Sequence, residues 1–266
     1  MGQVVSFVNN KGGVGKTTSA CSIGLAWARM EKKILFVDLD SQANLTSVIS
    51  KTDSFDQKWE RTIEDAFIEG PEGPGLPIHH TDNPFIDFVP TDLDLANFEK
   101  DTARASFKEL LLYDLLQPVK DQYDYIIIDC PPSLSVITYN AMIASDYLVM
   151  VTHAEGSSSR GLEMIVSLYN EIVSNKRFNP ALVIIGCIVT KFEKDKISKY
   201  FVDSLTESYG DIILKPYIPK STKVAQSTSF GRTIYDVEPT GKVADAYLMV
   251  SKELLYRIVD DVNGRG

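Results

Sequence analysis

The stretch QVVSFVNNKGGVGKTTSACSIGLAWARME (residues 3–31) gives the strongest indication of fold in the chain. Residues 3–8 are almost wholly apolar, which indicates a buried strand, and residues 16–31 place apolar side chains at helical spacing. Between them lies a glycine-rich loop. Glycines let backbone N–H groups approach a bound anion, and the following helix adds N–H groups that have no partner within the helix. The stretch therefore predicts a phosphate-binding loop between a strand and a helix.

Single positions of this loop, NKGGVGKTT (10–18), have distinct expected tasks. Lys16 would place a positive charge on the β- and γ-phosphates of a nucleotide, and the Thr17 hydroxyl is suited to magnesium. The common pattern has glycine where Asn10 stands, and the alternative interpretation is a plain glycine-rich turn. The expected nucleotide-binding residues of the loop are Gly12, Gly13, Val14, Gly15, Lys16, Thr17 and Thr18.

Apolar runs and helical patterns alternate along the rest of the chain. Apolar strands separated by helices indicate a parallel sheet covered on both faces. We therefore predict an α/β, three-layer P-loop NTPase fold: a mostly parallel twisted sheet with helices on both faces. Residues 50–84 are predicted to be a loop because proline and glycine punctuate them, and residues 1–266 a single domain. Further strands are predicted at 33–38, 85–90, 123–129, 146–152 and 181–189, and further helices near 103–120, 136–144, 157–176, 196–209 and 240–262.

Acidic residues close two of the predicted strands. Asp38 ends strand 33–38 and Asp40 follows two positions later, while Asp129 ends strand 123–129. Ligands of open α/β sheets bind at the carboxyl ends of the strands, where such acids can hold magnesium or orient an attacking water. We assign Asp38 and Asp129, together with Thr17, to magnesium. The alternative for Asp38 and Asp40 is a pair of turn or helix-capping acids.

Composition excludes several classes of protein. The net charge of −9 shows no overall basic character, so a nucleic-acid-binding surface would have to be local. The three cysteines are far apart, which argues against a disulfide framework or a zinc site. The N-terminal residues do not resemble a signal peptide, and no apolar run is long enough to span a membrane. A cytoplasmic protein is expected.

A second lysine within the loop, Lys11, marks the deviant form of the Walker A motif. In this feature the chain resembles the ParA/MinD family of ATPases, and the resemblance extends over nearly its whole length. It is greatest for the small partition ATPases of the ParA type. The segments that carry it are DLDSQ (38–42, with serine where the family usually has proline), VPTDLDLANFE (89–99), DYIIIDCPPSLSVITYNAM (124–142) and IPKSTKVAQSTSFGRTIYDVEPTGKVADAY (218–247).

The resemblance implies roles for individual residues and for partners. It implies that Lys11 reaches across an ATP-bound homodimer to the partner's phosphates, and that Asp40 is catalytic together with Lys11 and Lys16. It places Thr190 and Pro219 near the adenine. The implied function is an ATP-dependent and magnesium-dependent DNA partition ATPase with slow hydrolysis, working with a ParB-like adaptor protein on the nucleoid.

Non-specific DNA is the other partner that the resemblance implies, and the charge distribution is compatible with it. Residues 190–242 contain nine basic and seven acidic residues, whereas the remainder contains 18 basic and 29 acidic residues. Phosphate contacts need such local positive charge but no reading of bases. An ordinary solvated surface is the alternative. The expected DNA-binding residues are Lys220 and Lys223, followed by Lys191 and Arg232.

Other functions within the same broad family stay open. A MinD-like membrane-associated ATPase would need a basic amphipathic C-terminal helix, and Asp260 and Asp261 oppose that interpretation, so stable membrane association is not expected. The remaining alternatives are an ATPase that positions a protein cargo, a redox or transport relative, and an ATP-dependent biosynthetic enzyme such as an amidotransferase synthetase.

Overall fold

A computed structural model describes residues 2–52, 58–98, 108–155, 158–229 and 231–265. The strands are β1 (Gln3–Val8), β2 (Ile34–Asp38), β3 (His79–His80), β4 (Ile86–Val89), β5 (Tyr125–Asp129), β6 (Tyr147–His153) and β7 (Val183–Thr190). The α-helices are α1 (Lys16–Ala28), α2 (Asn44–Ser50), α3 (Ile63–Glu69), α4 (Leu111–Leu116), α5 (Val136–Ala144), α6 (Ser158–Ser174), α7 (Lys196–Tyr209), α8 (Thr222–Ser229), α9 (Ile234–Val237) and α10 (Lys242–Arg265).

The seven strands form one sheet in the order β3-β4-β2-β5-β1-β6-β7. Every neighbouring pair is parallel except β3 with β4, which is antiparallel. The strands β2, β5 and β1 lie side by side at the centre, so their carboxyl ends open at the same edge. This is the edge where the glycine-rich loop leaves β1.

Alternate residues of each central strand enter two separate hydrophobic clusters, as the period of two along a strand requires. On β5, for example, Ile126 and Ile128 belong to one cluster and Ile127 to the other. The first cluster includes side chains of α5, α6 and α7, and the second includes side chains of α1, α2 and α10. Helices therefore cover both faces of the sheet, and the predicted three-layer α/β fold is confirmed.

The prediction of a continuous loop over residues 50–84 is wrong for part of that range. Residues 63–69 form α3, which begins at a capping box in which Thr62 and Asp65 each satisfy a backbone N–H group of the other. The short strand β3 then adds an antiparallel edge to the sheet. The predicted helix over 103–120 is much shorter among the described residues, where the α-helical part is α4 alone. Residues 103–107 lie outside the described part of the chain.

Three further short helices, α2, α8 and α9, were also not predicted. Apart from α3, α4 and β3, the remaining strands and helices lie within a few residues of their predicted positions. All three cysteines are buried and unpaired. Within the described part of the chain, no helix combines the length and the apolar character needed to cross a membrane.

Candidate nucleotide site

The glycine-rich loop connects β1 to α1 through two left-handed residues, Gly13 (φ 70°) and Gly15 (φ 91°). Side chains rarely tolerate such φ values, so glycine is required for this path. Gly15 is the N-cap of α1 and offers no side-chain cap, which leaves the first N–H groups of the helix available to a ligand. Asn9 connects the start of the loop to β6. Its Nδ2 donates to the Val151 carbonyl at 2.6 Å, and its Oδ1 accepts the Lys11 N–H at 3.0 Å.

A cavity of about 640 Å³ opens directly above this loop. The loop and the start of α1 line one part of the cavity, and Thr190, Lys191 and residues 218–222 and 224 line another part. The side chains of Ile218, Pro219, Val224 and Tyr247 give part of it an apolar lining, which suits a flat base. The residues that line the cavity include Gly12, Gly13, Gly15, Lys16, Thr17, Thr18, Asp40, Gln42, Asn44, Pro132, Thr190, Lys191, Pro219 and Lys220.

Val14 differs from the other predicted loop residues because its side chain is buried in the core and does not line the cavity. Its carbonyl accepts a hydrogen bond from the Thr190 hydroxyl at 2.7 Å, and this hydroxyl also contacts the Thr152 carbonyl at 3.1 Å. Thr190 therefore ties the end of β7 to the loop. Any contribution of Val14 to a nucleotide would come from its backbone.

The two lysines of the loop lie in different directions. The Lys16 side chain lines the cavity, is only 6% exposed, and places its Nζ 3.4 Å from the Lys11 carbonyl. Lys11 does not line the cavity of its own chain; its Nζ lies 3.7 Å from Glu155 Oε2, and its side chain is 37% exposed. Lys16 is thus placed to act on a nucleotide in its own chain, and Lys11 extends outward.

Asp38 and Asp129 are the last residues of β2 and β5, and the register of these strands pairs them directly. Both side chains are completely buried. The Asp38 carboxylate is held by three donors: Thr46 N–H and Thr46 O–H, both 2.8 Å from Oδ2, and Asp40 N–H, 3.1 Å from Oδ1. Burial raises the pKa of Asp38 to about 7, although these donors act to lower it.

Asp129 has no such support. Both of its carboxylate oxygens are buried, and neither has a hydrogen-bond partner among the residues that the structure describes. Burial raises the pKa of Asp129 well above its ordinary value, and the charge of Asp38 raises it further. The Thr17 hydroxyl and the Lys16 ammonium act to lower the pKa, although no hydrogen bond of normal geometry joins Thr17 to Asp129.

An unpartnered buried carboxylate is costly, and native proteins rarely keep one without a role. Here it lies beside a second carboxylate and a threonine hydroxyl, which are the oxygen ligands that magnesium prefers. The residues predicted to hold the metal, Thr17, Asp38 and Asp129, therefore lie together and fit a divalent cation. Asp40 is half-buried and lines the cavity, while its Oδ1 accepts the Gln42 N–H at 3.1 Å.

Sequence reasoning did not identify two contacts beside the loop. His153 Nε2 lies 3.2 Å from the Gly13 carbonyl and therefore donates to it, while Nδ1 lies 3.4 Å from Glu155 Oε2. Burial lowers the pKa of His153, although Glu155 acts to raise it. Glu155 thus lies between His153 and Lys11. A glutamate two residues beyond a strand has no distinctive sequence pattern, so only the structure could reveal this contact.

The four predicted DNA-binding residues lie in different surroundings. Lys191 lines the cavity and donates to the Gly13 carbonyl at 2.8 Å. Lys220, also at the cavity, pairs with Glu193 at 3.0 Å, and Lys223 pairs with Glu238 at 2.6 Å. Arg232 is exposed and borders a small cavity that Thr17 and Thr18 also line. Lys191 and Lys220 thus line the nucleotide cavity, whereas Lys223 and Arg232 do not.

Known proteins are similar to this chain in sequence over most of its length. A family model described as an AAA domain matches residues 2–184. The chain is 31% identical over 257 residues to the sporulation initiation inhibitor protein Soj of Bacillus subtilis, covering 96% of this chain and 98% of that protein. It is 30% identical over 261 residues to the chromosome partitioning protein ParA of Myxococcus xanthus, covering 97% of this chain and 89% of that protein.

A solved structure extends the similarity to the complete fold. Cobyrinic acid a,c-diamide synthase from Mycobacterium smegmatis, solved with bound ADP and magnesium, superposes with a TM-score of 0.82 at 26% sequence identity. The superposition covers 98% of this chain and 97% of that chain.

Proposed function

Because the chain belongs to the ParA/MinD family of ATPases, we propose that it is a DNA partition ATPase. In this proposal the chain binds ATP with magnesium, dimerises around the nucleotide, binds DNA without sequence preference, and leaves the DNA after slow hydrolysis. A ParB-like adaptor would stimulate the cycle, and the protein would work in the cytoplasm on the nucleoid. The observation that carries the proposal is the cavity, which is lined by the glycine-rich loop, by apolar side chains and by Asp40, two residues beyond the buried strand-end pair of Asp38 and Asp129.

The loop and its neighbours supply the groups that phosphoryl transfer requires. Positioning and neutralisation of charge account for most of the catalysis of this reaction. Lys16, which is nearly buried, would act on the β- and γ-phosphates, and the uncapped start of α1 would donate N–H groups to them. Magnesium, held by Thr17, Asp38 and Asp129, would neutralise charge on the phosphate oxygens. Thr190 and Pro219 also line the cavity and are proposed to contact the adenine.

Hydrolysis needs a water molecule oriented towards the γ-phosphate. We propose Asp40 for this role, since it lies two residues beyond the end of β2 and lines the cavity. Its hydrogen bond with the Gln42 N–H fixes one carboxylate oxygen and leaves the other available. Lys11 is proposed to act on the phosphates of a second copy, because it does not line the cavity of its own chain and its Nζ lies 3.7 Å from Glu155 Oε2.

DNA binding is supported by a group of lysines at the start of α7. Lys194, Lys196 and Lys199 are exposed, and no acidic side chain of the described residues pairs with any of them. By contrast, Lys220 and Lys223 are each engaged by a glutamate. Unpaired exposed lysines can take up phosphates without first breaking an ion pair. We therefore extend the proposed DNA surface from Lys191, Lys220, Lys223 and Arg232 to this part of α7.

Retention of the full chain on random-sequence DNA tests the proposal. We expect retention with ATP and magnesium and little with ADP, with affinity falling steeply as salt rises. A Lys194→Glu/Lys199→Glu variant should bind DNA about tenfold or more weakly, with a shallower salt dependence and unchanged nucleotide binding. Equal retention with ADP and ATP would argue against a nucleotide-driven switch.

A matched control separates a local surface from overall charge. Lys176→Glu/Arg177→Glu makes the same change in net charge at two exposed positions beyond α6. This control should bind DNA nearly as well as the unsubstituted chain. A comparable loss of binding in both variants would mean that DNA responds to net charge and does not contact the start of α7.

An ATP-dependent amide-forming synthetase is the second candidate, and the structural likeness to cobyrinic acid a,c-diamide synthase favours it. The identity to that protein, 26%, is lower than the 30–31% shared with the partition proteins. The two functions differ in what accelerates ATP hydrolysis. DNA should accelerate it for a partition ATPase, whereas glutamine with a carboxylic acid substrate should do so for a synthetase.

A further inference from the structure

Helix α2 begins without a capping side chain of its own. Its N-cap residue, Ala43, has a left-handed backbone (φ 51°) and cannot accept a hydrogen bond through its side chain. The first N–H groups of a helix have no partner within it, so they need an acceptor from elsewhere. Asp38 supplies one, because its Oδ2 accepts the Thr46 N–H at 2.8 Å. The Asp38 carboxylate, which is proposed to hold magnesium, therefore also caps the N-terminus of α2.

The Thr46 hydroxyl adds a second bond to the same oxygen. Thr46 Oγ1 lies 2.8 Å from Asp38 Oδ2 and 3.2 Å from the Thr91 backbone nitrogen. A backbone N–H can only donate, so Thr46 Oγ1 accepts from Thr91 and directs its own hydrogen to Asp38. The side chain of Thr46 is completely buried, and water does not compete for these bonds. The orientation of the hydroxyl is therefore fixed from two sides.

We propose that Thr46 is a positioning residue for the magnesium site: its hydroxyl and N–H together hold Asp38 in the orientation in which it faces Asp129. This inference rests on the proposed ATPase function and deepens it. Among the described residues, no hydrogen-bond donor holds the Asp129 carboxylate, whereas Thr46 holds Asp38 through two hydrogen bonds. Groups that orient a metal-binding carboxylate commonly change metal affinity when they are removed. Through Thr91, the same hydroxyl connects the site to the segment that follows β4.

The test uses Thr46→Val, which keeps the shape of the side chain and removes the hydroxyl. The measurement is equilibrium binding of a fluorescent ADP analogue to the full chain over a range of magnesium concentrations, which needs no turnover. We expect the magnesium concentration for half-maximal binding to rise by about tenfold. Binding in the presence of a chelator should not change, and Thr46→Ser should restore the original magnesium dependence. Thr46→Ala is read in the same way if the valine variant does not fold.

Thr91→Val is the matched control. Thr91 is equally buried and adjoins Thr46, but its own hydroxyl has no hydrogen-bond partner. The same substitution there should leave the magnesium dependence unchanged. A Thr46→Val protein with the original magnesium midpoint would overturn the inference, and so would an equal shift in Thr91→Val. Failure of the proposed function is distinct, because the unsubstituted chain would then show no magnesium-dependent nucleotide binding.

Discussion

At the scale of single residues, Asp38 and Asp129, the carboxylates that end β2 and β5, have the largest expected effect on stability. Their pairing in register follows from two parallel strands that end at the same level, and both are fully buried. Burying a charge without a partner costs stability, so a carboxyl group in such a place keeps its proton to an unusually high pH. For Asp38 the pKa rises to about 7, and for Asp129 it rises well above 3.8. Without a cation, this pair is a source of instability near neutral pH.

The free energy of unfolding should therefore depend on pH in a specific direction. A carboxyl group whose pKa is raised by folding stabilises the folded chain below its unfolded pKa, and that contribution is lost as pH rises through the folded pKa. For Asp38 the loss extends from its unfolded value of 3.8 to about 7. Asp129→Asn removes one of the two groups. We expect the variant in a chelator to be more stable than the parent near pH 7, by about 1 kcal/mol or more, and to lose less stability between about pH 4 and 7.

Urea unfolding across this pH range measures both effects. The same unfolding measurement with added magnesium and ADP measures how much the bound nucleotide stabilises the folded chain. The parent chain should be stabilised by the magnesium-bound nucleotide through preferential binding to the folded state. Asp129→Asn should lose most of that stabilisation. A variant that is less stable than the parent at every pH, with an unchanged slope, would show that Asp129 is not strained.

At the scale of elements, α1 connects the phosphate-binding loop to both the sheet and α10. A glycine in its middle, Gly24, lets α1 approach the sheet closely, because a Cβ there would overlap the side chains of Phe36 and Ile127. On another side of α1, Trp27 Nε1 donates to the Ser251 carbonyl at 2.9 Å. The position of the loop therefore depends on close packing of this helix.

Gly24→Ala should push α1 away from the sheet. Alanine favours a helix by up to about 1 kcal/mol over glycine, but overpacking costs about 1–3 kcal/mol, so we expect net destabilisation and weaker ATP binding. Chemical denaturation and nucleotide titration measure the two effects. The matched control is Gly264→Ala in α10, where a new Cβ would meet nothing within 4 Å. The control should be neutral or slightly stabilising; if Gly24→Ala behaves in the same way, the close packing inferred for α1 is wrong.

The elements also show where sequence reasoning succeeded. The central strands could be predicted because burial on both faces makes them apolar throughout, and their burial is nearly complete. Short elements carry too few residues for a periodic pattern, which explains why α2, α8 and α9 were missed. The helix α3 did have a start signal, the Thr62 and Asp65 capping box, but the many prolines and glycines that follow obscured it.

The residues of the site also divide into those that the sequence could predict and those that it could not. Residues contiguous in sequence with a strand end or with the loop, such as Lys16 and Asp129, were predicted from their position alone. Thr46, His153 and Glu155 were not, because each acts through a contact made across space. The role of the Thr46 hydroxyl cannot be predicted from the sequence, because it depends on α2 beginning at Asn44 and bringing Thr46 next to Asp38. Partners that only the tertiary fold brings together lie beyond sequence patterns.

At the scale of the whole molecule, the two lysines of the loop have different surroundings within a single chain. Lys16 lines the cavity, whereas Lys11 extends towards Glu155 near the start of α6. If Lys11 contributes to hydrolysis, it does so most simply in a two-fold dimer, where each copy offers the same residue to the other. The catalytic unit would then be two chains, each supplying Asp40 to its own nucleotide and Lys11 to the partner's.

This arrangement predicts that two inactive variants restore activity when mixed. Lys11→Ala and Asp40→Ala should each abolish hydrolysis while retaining ATP binding. In a mixed dimer, the site in the Lys11→Ala chain keeps its own Asp40 and receives Lys11 from the partner, so one of the two sites is complete. An equal mixture that pairs at random should therefore recover about one quarter of the parent rate. Steady-state phosphate release from mixtures of varied ratio measures it. If Lys11 served the nucleotide of its own chain, neither site of a mixed dimer would be complete and every mixture would stay inactive.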